Sequence, residues 1–243
     1  CISRQLQWGH QIPVWYHKED RSKLHVSVTG PKDIENWVQD TDVLDTWASS
    51  WIWPIGVHDW PSDTQQLNKF FPTNTLVTGP DIIFFWVARM IITGYEFLDK
   101  KPFTDVYFTS ILRDETGKKL SKSLGNSPDP LDLFKEYGTD AVRFGIMLMA
   151  PQGLDVFFSS DRLRIGRNFM NKLWNACRFV SMNKPVGWDE NFELNNEHLN
   201  LPDKWIFNRL NRTIKNYNQQ LERFRFNEAA KIIYDFVWND FCD

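Results

Sequence analysis

Gly117-Lys118-Lys119-Leu120-Ser121-Lys122-Ser123-Leu124-Gly125-Asn126 sets three lysines and two serines between two glycines. Glycine at either end frees the backbone for turns that other residues resist, so the segment can close on a ligand. Lysine ammonium groups are compact point charges suited to phosphates, and serine hydroxyls add donors. A loop of this kind can hold a triphosphate and stabilise the charge that develops as pyrophosphate leaves. It is not a Walker A loop, because the Gly-x-x-x-x-Gly-Lys-Ser/Thr order is absent. A solvated surface loop has the same composition, so the surroundings must decide.

On the N-terminal side, Thr75-Leu76-Val77-Thr78 reads as a short buried strand. Gly79-Pro80-Asp81 reads as a turn, residues 82–98 as a largely apolar helix, and residues 105–109 as a second strand. Strand, helix and strand in that order imply a parallel α/β unit. The lysine loop then follows the C-terminal end of a parallel strand, where open α/β sheets bind ligands. Residues 1–75 read as Trp-rich and irregular, with short elements near 11–16 and 43–51.

On the C-terminal side, Asp129-Pro130 starts a helix with a capping carboxylate and a proline at its first position. Gly138 ends that helix, and Thr139 is expected to cap the next, over 140–149. Beyond residue 160 the pattern is helical throughout, with helices near 160–182, 203–222 and 226–241 and a polar linker over 183–202. At about 100° per residue, Ile165, Phe169, Leu173, Ala176 and Val180 fall in one stripe, expected to pack into a bundle. Arg164, Arg167, Asn171, Asn175 and Arg178 fall on the opposite side, a row suited to phosphates and sugars.

Bulk composition is that of an ordinary globular protein, with 42% hydrophobic and 24% charged residues among 243. A net charge of −3 excludes a polycation, so any nucleic-acid contact must be local. Cys1, Cys177 and Cys242 are far apart and fit no zinc spacing; free thiols in a reducing compartment are expected, with no protein-bound metal. No apolar run is long enough to span a bilayer, and no membrane partner is expected. The chain begins at Cys1 and stops just after an apolar-rich run, so an excised piece of a longer protein is expected.

Lys119-Leu120-Ser121-Lys122-Ser123 resembles the Lys-Met-Ser-Lys-Ser signature of class I aminoacyl-tRNA synthetases, with Leu in place of Met. The flanks Arg113-Asp114-Glu115-Thr116-Gly117 and Leu124-Gly125-Asn126 are similar to the same family. So are Cys1-Ile2-Ser3-Arg4-Gln5, Trp8-Gly9-His10 and Asp42-Val43-Leu44-Asp45-Thr46-Trp47. The run Thr78-Gly79-Pro80-Asp81-Ile82-Ile83-Phe84-Phe85-Trp86 resembles the valine-specific branch, and the segment 167–176 the family's first anticodon-domain helix. An isoleucine-specific relative and a non-catalytic tRNA-binding paralogue stay as alternatives.

The resemblance implies a fold and a division of labour. The fold class is α/β plus all-α: residues 1–126 as the C-terminal half of a Rossmann-like catalytic domain, 127–159 as a connecting region, and 160–243 as the start of a helical anticodon-binding bundle. It implies ATP with Mg2+, valine and tRNA(Val) as ligands, a cytoplasmic setting and a monomeric parent. Lys119 and Lys122 would act on the triphosphate. Thr78, Gly79, Asp81, Ser121 and Ser123 would join them in binding ATP. Trp47, Asp81, Ile82 and Trp86 would form the amino-acid pocket, the two tryptophans as flat walls and Ile82 as a stop that shortens the cavity. The arginine–asparagine row would touch tRNA. The family's other ATP signature, His-x-Gly-His, is not among the five histidines, so the chain is expected to be inactive alone and to lack the editing domain.

Overall fold

A computed structural model describes residues 2–151, 153–189 and 196–242. The chain divides into two compact units, Cys1–Tyr107 and Phe108–Asp243.

In the first unit, β1 (Ser3–Arg4) pairs antiparallel with β5 (Val43–Leu44). Between them in sequence lies a three-stranded antiparallel sheet in the order β3 (Leu24–Val26), β2 (Val14–His17), β4 (Trp37–Gln39), with Trp15 opposite both His25 and Gln39. The expectation of an irregular segment is corrected here. These strands are only three or four residues long, too short to show an alternating pattern, and Leu24, Val26 and Val38 stay exposed. Side-chain contacts hold the sheet. The Trp37 ring stands edge-on to His17 at 5.1 Å, and Trp15 Nε1 donates to the Ser27 carbonyl at 2.9 Å.

Short helices follow: α1 (Thr46–Ser50), α2 (Trp53–Gly56) and α3 (Gln65–Phe70). Thr64 caps α3 by accepting from the Leu67 amide. Ile55, Leu67 and Phe71 form a small core, with Ile52, Trp60 and Leu98 packed against it. Strand β6 (Thr73–Thr78) hydrogen-bonds to β7 (Phe103–Phe108), and α4 (Ala88–Leu98) lies between them in sequence. The expected strand–helix–strand order is present. The helix, however, does not run straight from residue 82. The chain enters through a 3-10 turn, Pro80–Ile82, where proline fixes φ, and a wider π-type turn, Ile83–Val87, before α4 begins.

In the second unit, β8 (Leu112–Arg113) pairs parallel with β9 (Val156–Phe157). Helix α5 (Pro130–Tyr137) starts as expected, the Asp129 carboxylate accepting from the Leu131 amide at 2.8 Å. Gly138 ends it at φ 92°. Thr139 is the first residue of α6 (Thr139–Met149), and Gly138 holds the cap position with no side-chain bond. The expected threonine cap is therefore absent. Helices α7 (Ser160–Met182), α8 (Leu201–Glu222) and α9 (Phe226–Asp235) match the expected spans closely, α9 passing into a π-type turn, Phe236–Phe241. Asn200 and Asp203 form a reciprocal capping box at the start of α8. Of the polar linker, residues 190–195 lie outside the described residues, as does Cys1; Cys177 and Cys242 are free thiols.

The packing face of α7 differs from the expected one. Leu163, Gly166 and Phe169 are buried, whereas Ile165, Leu173 and Val180 are exposed. The true stripe is turned by about 60° on a 100°-per-residue wheel. Gly166 explains the turn. A Cβ there would lie 2.2 Å from the Ala141 carbonyl oxygen, so α6 comes to backbone contact at a residue with no apolar side chain to count. Phe169, Phe236 and Val237 make the core between α7 and the C-terminal turns, and the Phe144 ring stacks on Phe169 at 4.7 Å. Arg209 closes the bundle edge with a 2.6 Å bond to Asp240.

Candidate functional site

The lysine loop is a structured hairpin. Its root is β8, which is zipped to β9 and braced by an ion pair from Arg113 to Asp155. Arg113 also donates to the Gly117 carbonyl at 3.1 Å and pairs across the hairpin with Lys119. The Asp114 carboxylate organises the first turn: Oδ1 accepts from Thr116 Oγ1 at 2.7 Å and from the Thr116 and Lys118 amides at 2.9 Å each. Asn126 Nδ2 donates to Asp114 Oδ2 at 2.7 Å. The hydroxyl of Thr116 and the amide of Asn126, in that order, hold the Asp114 carboxyl down to about 2 from an ordinary value of 3.8. Gly117 and Gly125 sit at positive φ, 86° and 66°, where turns need them.

The tip of this hairpin points its cations outward. Lys118, Lys119 and Lys122 are exposed, the last opening a 3-10 turn, Lys122–Leu124. Ser121 and Ser123 share a 2.7 Å hydroxyl bond, and the Ser121 amide donates to Asn126 Oδ1 at 2.9 Å. Three ammonium groups within five residues form a strongly positive knob fit for a polyanion. Asp114 and Asn126, which organise this hairpin, lie in the quoted motif and its flanks, where no role was assigned to them. The Asp-x-Thr pattern, which favours a side-chain-to-backbone turn, was the available signal for Asp114.

The first unit carries the other set. Thr78 ends β6 and is buried; Gly79 follows it. A Cβ on Gly79 would stand 2.6 Å from Asp81 Oδ1, so glycine is what lets that carboxylate fold back over the backbone. Asp81 itself is exposed on the 3-10 turn, and Ile82 is half-buried beside it. Trp47 on α1 stacks with Phe85 at 5.9 Å, and Trp86 donates through Nε1 to the Ser50 carbonyl at 3.1 Å. Trp47 is thus part of α1 and Trp86 is tied to it, and both are half-buried. The Arg89 guanidinium lies over Trp51 at 4.8 Å and faces Phe85 at 5.8 Å, which fixes the far side of this aromatic group.

On α7, Arg164, Asn171, Asn175 and Arg178 are exposed along one side. Arg164 pairs with Asp161 at 3.1 Å. Arg167 departs from the row: it is half-buried, its guanidinium 5.7 Å from the Tyr137 ring centre. A cleft of about 440 Å³ lies elsewhere, on the three-stranded sheet, lined by Tyr16, His17, Lys18, Arg21 and Asp40 among others; it contains none of the expected site residues. Among the described residues, no helix is long and apolar enough to cross a membrane, and no group of three or more His, Cys, Asp or Glu is gathered to hold a metal.

Known proteins resemble the chain along its whole length. The family model for tRNA synthetases class I (I, L, M and V) matches residues 19–159, and that for the anticodon-binding domain of tRNA ligase matches residues 203–243. Valine--tRNA ligases align along the whole chain, from Bacillus cereus at 48% identity over 244 residues and from Fusobacterium nucleatum at 51% over 257. The chain spans about 28% of the length of each. A ternary LeuRS–tRNA–LeuAMS complex from Agrobacterium radiobacter superposes with a TM-score of 0.78 at 21% identity, covering 98% of this chain and 35% of that one. A methionyl-tRNA synthetase from Mycobacterium tuberculosis, in complex with methionyl-adenylate, gives 0.68 at 22%, covering 97% and 42%. These likenesses give a class I synthetase catalytic fold running into a helical anticodon-binding region. With 141 of its 243 residues matched by that family model, the chain belongs to the class I tRNA synthetases (I, L, M and V).

Proposed function

We propose that the chain is the part of a valine–tRNA ligase that runs from the second half of the catalytic domain into the anticodon-binding helices. The supporting observation is identity of 48–51% to valine–tRNA ligases over the full chain. Residues 1–126 serve as catalytic half-domain, 127–159 as connector, and 160–243 as the opening of the anticodon-binding bundle. The complete enzyme is longer, monomeric and cytoplasmic.

The valine carboxylate attacks the α-phosphate of ATP, which enters as its Mg2+ complex; the bond to pyrophosphate breaks to leave valyl-adenylate, and a hydroxyl of tRNA(Val) then takes the valyl group as AMP leaves. Lys119 and Lys122 meet the β- and γ-phosphates, where negative charge accumulates as that bond breaks. Ser121 and Ser123 supply neutral donors beside them. Thr78 and Gly79 offer a close backbone approach for the ribose, and Asp81 accepts from a hydroxyl or from the valine ammonium. Trp47 and Trp86 wall a small apolar slot closed by Ile82. Valine–tRNA ligases are themselves the known case of such a slot, which rejects threonine by only about a hundredfold, since an apolar wall discriminates weakly against an isostere with a hydroxyl. Arg164, Asn171, Asn175 and Arg178 offer cations and amide donors to tRNA phosphates and sugars, and Arg167 acts from behind them.

Amino-acid-dependent ATP–pyrophosphate exchange by the complete enzyme tests this. Exchange with valine is expected to exceed that with isoleucine by at least about a hundredfold in kcat/KM. A preference for isoleucine, or tRNA binding with no exchange for either amino acid, would refute it.

A further inference from the structure

The lysine hairpin is closed by two side chains twelve positions apart. Asn126 donates from Nδ2 to Asp114 Oδ2 at 2.7 Å and, more weakly, to the Lys119 carbonyl at 3.4 Å, while its Oδ1 accepts the Ser121 amide at 2.9 Å. Asp114 in turn gathers the Thr116 hydroxyl and the Thr116 and Lys118 amides. Each lysine therefore sits on backbone that is bonded, directly or through a neighbour, to one of these two side chains. The Leu120 amide adds a 3.2 Å bond to the Leu112 carbonyl, which ties the middle of the hairpin to its root. A loop built only to be mobile has no use for such a lattice, and one that must offer several charges at fixed spacing does.

We propose that Asp114 and Asn126 are positioning residues that clasp the two ends of the lysine loop, so that Lys119 and Lys122 meet a phosphate chain from a preset frame. The inference rests on the function proposed above and adds residues to it. Without the clasp, exposed like charges close in sequence push the backbone apart, and ordering it must be done at the moment the triphosphate binds or reacts. With the clasp, that order is already present in the folded chain. Hydrogen bonding holds the Asp114 carboxyl well below the usual carboxylate range, so its bonds are charge-assisted at neutral pH.

The test uses the complete enzyme near neutral pH. Asn126→Asp sets a second carboxylate against Asp114 and removes both donors of the clasp. Hydrogen exchange at the Thr116, Lys118 and Ser121 amides is expected to quicken by about tenfold or more, with α6 amides unchanged as a control of folding. Saturated valine-dependent ATP–pyrophosphate exchange is expected to slow by about tenfold or more, with the KM for valine within about twofold. The exchanged pair, Asp114→Asn with Asn126→Asp, restores one donor–acceptor bond and is expected to recover a substantial part of both. If Asn126→Asp fails to fold, Asn126→Ala carries the same reading. Unchanged amide exchange would overturn the clasp. Faster amide exchange with the activation rate intact would overturn the positioning role. An unsubstituted enzyme with no valine-dependent exchange would remove the function and the role with it, while the amides would still report the clasp, so the two failures are distinct.

Discussion

Lys122 is the residue on which the proposed chemistry leans most. It is exposed at the start of a 3-10 turn, so its side chain contributes little to the fold and its loss is read as chemistry. In the complete enzyme, Lys122→Ala is expected to lower the rate of valine activation by roughly 100-fold or more, with the valine KM changed less than about threefold, because the charge it meets develops in the transition state. A loss lying wholly in KM would remove that role. Asp114 gives a second expectation, with a definite sign. Its folded value near 2 lies below the ordinary 3.8, so its contribution to loop order is fully present above about pH 4 and is lost as pH falls through 2. Amide exchange in the hairpin, corrected for the intrinsic pH dependence, is expected to show flat protection from neutral pH to about 4 and a fall below it, with α6 still protected where the loop begins to open. The lysines were legible in the sequence because their spacing is itself a signature. The pairing of Asp114 with Asn126 was not, since nothing local marks two polar side chains twelve residues apart as partners.

Among the elements, α7 shows both what a sequence reveals and where it misleads. Its limits, 160–182, follow from an unbroken run without glycine pairs or proline, and the structure places the helix at Ser160–Met182. Its phase is lost to a count of apolar residues, because Gly166, which lies in the seam with α6, has no side chain to count. The arginine row survives that rotation only in part. Arg164 and Arg178 remain exposed, whereas Arg167 is held against Tyr137. Replacing Arg164 and Arg178 by alanine is expected to weaken tRNA binding and to reduce the slope of log affinity against log salt by roughly 0.7–0.9 for each phosphate no longer neutralised, leaving valine activation intact. Affinity and slope both unchanged would exclude this side of α7 as a tRNA contact. The three-stranded sheet of the first unit failed to show in the sequence for the opposite reason. Its order comes from cross-strand contacts such as Trp37 with His17, which only the paired strands bring together.

For the molecule as a whole, the strand–helix–strand unit and the helical second half were readable because each spans enough residues for its periodicity to emerge. The division at Tyr107 and Phe108 was not, because it depends on which segments pack together. The second unit draws much of its stability from the core around Phe169, which is 3% exposed and packed by Phe144 and Tyr234. Phe169→Ala is expected to cost about 3–5 kcal/mol in denaturant unfolding, against a total of only about 5–15 for a typical domain. The 243-residue chain by itself contains no His-x-Gly-His, so it is expected to give no valine-dependent ATP–pyrophosphate exchange; a measurable signal would contradict that. The approach of α6 to α7 has one last consequence, for the substitutions that drift can explore. At Gly166 even a methyl group would collide with the Ala141 carbonyl, a backbone atom that cannot swing aside, so a saturation library screened for folded protein should return glycine alone. Two positions away, Arg164 is open to solvent, and the same library should accept nearly any side chain there. Within a single helical turn, then, folding closes one site to change and leaves its neighbour constrained only by what it binds.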